Sequence, residues 1–157
     1  MNTELFKLKT GTDLVHVPFK GGGPAIADTV AGNTQIHLGS LPTEMGFIRA
    51  GKLKVIAAGG KKPNPALPGV PLIKDTVPGY ETYIWYGFFA PKGTPATLIS
   101  RMHAAINAAT ANPDTVKKLE AQGVEVEKMS TAEFGKLMKS ETDKWVEVIN
   151  AAGIKGE

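Results

Sequence analysis

The sequence predicts an α/β fold, on three observations. Residues 13–60 alternate strand-like and helix-like segments joined by very short connections. That alternation argues for βα units and parallel strands. A proline-dense stretch, 59–79, then gives way to the aromatic run YETYIWYGFFAP at 80–91, which reads as a long strand. From Thr94 onward, apolar residues recur at helical spacing.

Taken in order, TELFKLK (3–9) reads as helical turns stopped by Gly11, and DLVHVPF (13–19) as a short strand. GPAIADTVAG follows with Pro24 suited to a first helical turn and Gly32 to a C-terminal stop. TQIHLG (34–39) is a second strand, PTEMGFIRAG a second proline-started, glycine-stopped helix, and KLKVIAAGG (52–60) a third strand. Pro63, Pro65, Pro68, Pro71 and Pro78 each fix φ and remove a donor, so 59–79 is expected to be an extended, ordered connector. Thr94-Pro95 and Asn112-Pro113 are N-cap and first-position pairs, with Gly123 ending the second helix. VEVEKM (124–129) reads as an exposed strand. Ser130-Thr131-Ala132-Glu133 is a capping box. It opens an apolar stripe of Phe134, Leu137, Met138, Trp145, Val148 and Ile149 that Gly153 closes.

Composition narrows the function classes. Eighteen basic and fifteen acidic residues give a net charge of +3, small and dispersed, so no nucleic-acid partner is expected. With no cysteine there is no disulfide and no thiolate chemistry. No stretch approaches the roughly 20 apolar residues of a membrane span. The opening MNTELFKLKTGTD lacks the apolar region of a signal peptide. No cofactor or metal is expected: His16, His37 and His103 share no ligand spacing and read as structural or surface residues.

The candidate site is VPFKGGGPAIAD, residues 17–28. A strand that runs into glycines and a helix start presents unpaired N–H groups and the positive end of the helix dipole, which suits a carboxylate or phosphate. The alternative is a tight turn with no ligand. Neither G-x-G-x-x-G nor a P-loop is present. Lys20 either pairs with an acid group or is an ordinary solvated lysine. Leu38-Gly39-Ser40-Leu41-Pro42-Thr43 repeats the design, with Ser40 as an N-cap or a ligand donor. In parallel α/β units such turns share the C-terminal edge of the strands, where ligands collect. Trp85, Tyr83, Tyr86, Phe88 and Phe89 read as core packing rather than as the lining of a pocket.

These residues, from DLVHVPFKGGGPAIADTVAGNTQIHLGSLPTEMGFIRAGKLKVIAAGG through PALPGVP and PGYETYIWYGFFAPKGTP to KWVEVINAAGIK, closely resemble the Bug (TctC) family. Its members are extracytoplasmic receptors of tripartite tricarboxylate transporters. The resemblance implies an α/β, periplasmic binding protein-like (type II) two-lobed receptor that clamps a small carboxylate, and no catalysis. By analogy Lys20, Gly21, Gly22, Gly23, Pro24 and Ala25 form a glycine-rich ligand loop. Gly39, Ser40, Leu41 and Thr43 form a second loop, with backbone N–H groups and water carrying recognition.

The chain is expected to be a partial receptor, matching the C-terminal half of the family. Residues 1–80 would supply βα units of the second ligand-binding lobe. Residues 81–157 would supply a crossing strand and C-terminal helices packing toward the other lobe. Expected partners are a small carboxylate and the transporter's membrane components, in the periplasm. Homodimerisation or strand exchange is expected because lobe surfaces are left uncovered. The competing reading is a small cytosolic α/β enzyme acting on a phosphorylated or carboxylated metabolite, with only Lys20, His16 and His37 near the turns as acid–base groups. A third is a fragment that binds nothing without its other half.

Overall fold

The computed structural model describes residues 1–154. The predicted C-terminal part therefore ends with three residues, 155–157, outside the described ones. Six α-helices form: α1 (Asn2–Thr10), α2 (Gly22–Val30), α3 (Leu41–Arg49), α4 (Ala96–Ala111), α5 (Pro113–Glu120) and α6 (Thr131–Ala152). Among the described residues one 3-10 turn covers Ile73–Asp75.

The helices start and stop on the local signals. Gly11 ends α1 in a left-handed conformation (φ 68°) and donates its N–H to Lys7 O. Asn112 Oδ1 caps α5 by accepting from the N–H groups of Asp114 at 2.9 Å and Thr115 at 3.4 Å. At α6 both halves of the capping box form: Glu133 N donates to Ser130 Oγ, and Ser130 N donates to Glu133 Oε2. One start differs. Pro95 is the N-cap of α4 rather than its first residue, and Thr94 Oγ1 instead donates back to Pro91 O at 2.8 Å.

The five segments read as strands are a larger correction. Residues 13–19, 34–39, 52–60, 80–91 and 124–129 form no strand ladder among the described residues; an isolated parallel bridge, Ala58 to Leu72, is the pairing observed. Period-2 alternation survives without it. Along 83–89 the odd positions face α6: Tyr83 lies near Lys144, while Trp85 and Phe89 pack against Phe134. Even-numbered Ile84, Tyr86 and Phe88 are exposed, and of the odd positions Phe89 is mostly exposed as well. Alternation specifies which face a side chain takes, whereas pairing is a separate, non-local event.

The best-formed core joins the two ends of the described chain. Leu5 of α1, Tyr80 and Val148 of α6 are buried together, with Phe6, Leu38, Ile73, Val77 and Trp145 against them. Phe6 meets Tyr80 edge-on at 5.7 Å. The proline-rich connector is ordered by backbone bonds at its ends: Ala58 N to Pro71 O, Ile73 N to Ala58 O and Thr82 N to Gly59 O, each 2.9 Å. A Cβ on Gly59 would lie 2.6 Å from Thr82 O, so this close approach requires glycine.

Candidate functional site

The two glycine- and proline-marked turns come together. A Cβ built on Gly22 would lie 4.0 Å from Thr43 Oγ1, so the starts of α2 and α3 lie close together. Gly21 is the N-cap of α2 at φ 109°, a conformation L-residues rarely adopt, and it has no side chain with which to cap. Its helix therefore begins with uncapped N–H groups at Gly22 and Gly23, while Pro24 contributes none. Ala25 is half-buried behind them, and Lys20 stands exposed beside them.

At α3 the N-cap Ser40 makes no side-chain cap either. Its Oγ lies 2.8 Å from Tyr86 Oη, on the exposed face of the 80–91 segment. Thr43 closes the turn instead, its N–H at 3.0 Å and its hydroxyl at 2.7 Å from Ser40 O. Pro42 lacks an N–H, which leaves the Leu41 N–H as the free donor of this turn. Leu41 packs its side chain against Gly123, where a Cβ would overlap it.

Behind the second turn lies a pair that sequence reasoning missed. His37 Nε2 and Glu44 Oε1 are 3.3 Å apart, mostly buried, and neither atom has a hydrogen-bond partner among the described residues. Burial pushes the His37 imidazole below its ordinary value and the Glu44 carboxyl above its own. Burial therefore favours the neutral form of both groups, although their separation is that of an ion pair. Gly39 is the reason they fit: a Cβ there would overlap both side chains. His103 has a structural role, its Nε2 3.0 Å from Met129 O, and His16 is exposed. No group of metal-ligating side chains occurs among the described residues.

A cavity of about 1570 Å³ is a different feature. It runs between the helices and the unpaired segments, lined by residues such as Phe6, Ile48, Ile99, Met102 and Leu137. Gly39, Ser40, Leu41 and Tyr86 border it, but the 20–25 turn and Thr43 do not. It exceeds the roughly 300–1,000 Å³ of small-molecule sites and is largely apolar.

Comparison with known proteins adds a family. The model of the tripartite tricarboxylate transporter family receptor matches residues 1–154. Among solved structures, R. palustris Rpa4515 with adipate is 32% identical with a TM-score of 0.87, covering 98% of this chain and 52% of that one. The periplasmic binding protein BugD is 26% identical with a TM-score of 0.84, covering 99% and 53%. MatC (Rpa3494) from Rhodopseudomonas palustris with bound malate is 27% identical with a TM-score of 0.83, covering 94% and 52%. The chain thus spans about half the length of each of these proteins and shares their α/β, periplasmic binding protein-like fold, as the resemblance led us to expect. This chain belongs to the tripartite tricarboxylate transporter receptor family.

Proposed function

We propose that this chain carries part of a solute receptor's binding site and recognises a small carboxylate through backbone N–H groups. The carrying observation is the convergence of two uncapped helix starts at Gly22 and Thr43. The donors there are Gly22, Gly23 and Leu41 N–H groups, with Lys20, Pro24, Ala25, Gly39 and Ser40 shaping or flanking the space. A carboxylate gains from both helix dipoles, and glycines let its oxygens and bridging water reach the backbone. Two relatives hold adipate and malate, both dicarboxylates, which makes dicarboxylates the first class to test.

In this reading, residues 1–80 contribute the ligand-binding loops of one lobe, and 81–157 the crossing segment and helices directed toward the other. The receptor would work in the periplasm with the membrane components of a tripartite transporter. The uncovered segments would be met by a second copy of the chain.

A thermal-shift panel of mono-, di- and tricarboxylates, with phosphates, sugars and amines as controls, tests the reading. A ligand held only by the folded state stabilises by about 2.7 kcal/mol at 100 times its Kd. We expect a shift confined to carboxylates. Gly22→Ala should retain it, because a lone Cβ finds 4.0 Å of room, and Gly22→Leu should abolish it. A response to phosphates alone would replace the receptor reading with that of an enzyme.

A further inference from the structure

Tyr86 is 67% exposed, yet its phenol is tied to a hydroxyl on an element far away in sequence. Its neighbours Trp85 and Gly87 face Phe134 of α6, so the alternation of the segment aims Tyr86 the other way, at the α3 turn. Ser40 occupies an N-cap position with extended backbone (φ −100°, ψ 122°), where a serine ordinarily accepts from the helix's own N–H groups. It does not do so here: Pro42 has no N–H to give, the Thr43 N–H goes to Ser40 O, and the Oγ lies 2.8 Å from Tyr86 Oη.

Each hydroxyl carries one proton, and a hydrogen bond between two hydroxyls uses only one of them. The other O–H is left to donate, at the mouth of the α3 turn, in the same region as the Leu41 N–H. We propose, on the basis of the receptor reading above, that Tyr86 and Ser40 act as one ligand-contacting hydroxyl pair, donating the pair's spare proton to a ligand oxygen. The chemistry fits an acceptor-only group, such as a second carboxylate or a carbonyl of the ligand.

The test uses Tyr86→Phe, Ser40→Ala and the double variant of the full chain. Titration calorimetry with adipate and with malate reports affinity, and thermal melting without ligand reports stability. Each single variant should weaken binding about ten-fold, with the double variant less than about two-fold worse than either, because the two act as a unit. Affinities within two-fold of the parent in both single variants would overturn the pairing. So would a Ser40→Ala chain that melts lower, as loss of an existing cap requires, while binding is unchanged. If the parent bound neither diacid nor any carboxylate of the wider panel, the receptor reading would fail and the contact with it.

Discussion

A methyl group at position 87 would overlap the Phe134 ring, which itself meets Trp85 edge-on at 5.7 Å. Gly87→Ala should therefore destabilise the chain by about 1–3 kcal/mol, the usual range for overpacking. Urea denaturation measures it, and Phe134→Leu in the same chain should restore part of the loss. An unchanged midpoint would mean that the ring moves aside freely. Glu44 supports a second prediction at this scale. Burial raises its pKa above the 4.5 of the unfolded chain, so the folded state holds the proton more tightly. Its contribution is complete below about pH 4.5 and is lost as pH rises through the folded value. His37 works the other way, its lowered pKa removing stability as pH falls below about 6.5. Glu44→Gln does not titrate, so its stability advantage over the parent should be absent near pH 4 and present near pH 8. An equal difference at both pH values would rule out a buried, titrating Glu44.

At the scale of elements, helices were legible and sheet pairing was not. Helix boundaries rest on contacts within a few residues: Pro24 and Gly32, Pro42 and Gly51, Asn112-Pro113, and Ser130 with Glu133. Each was readable from its own neighbourhood. Asn112→Ala removes the side chain that accepts from Asp114 N and Thr115 N, and should cost about 1 kcal/mol, against a few tenths for Asn112→Gly. Thermal melting of the two variants separates a cap from a generic effect of side-chain removal. Strand pairing joins residues far apart, and alternation such as that of 83–89 reports only faces. The candidate site divides in the same way. The loops 20–25 and 39–43 were visible as glycine–proline turns, while Ser40–Tyr86 and His37–Glu44 are tertiary meetings that no spacing rule announces. A buried role for Phe88 and Phe89 was also expected and not found, since both are mostly exposed.

The whole molecule shows more surface than its mass calls for. It exposes 10955 Å², whereas a folded monomer of 16.6 kDa would expose about 7,600 Å². The difference is within the range of large, permanent interfaces, and Val15, Ile56, Tyr86 and Phe88 are all more than 60% exposed. Sedimentation equilibrium should accordingly find self-associated species heavier than one chain, dissociating when Phe88 and Ile56 are replaced by lysine. A monodisperse monomer at micromolar concentration would refute this. The packing of α1 on α6 has a consequence for biosynthesis. Val148 leaves the ribosome long after Leu5. At ~5–20 residues per second the first helix waits on the order of ten seconds for the partner that buries it. During that interval its apolar face is available to a holdase or to a neighbouring nascent chain, and a translational pause ahead of α6 would lengthen the exposure.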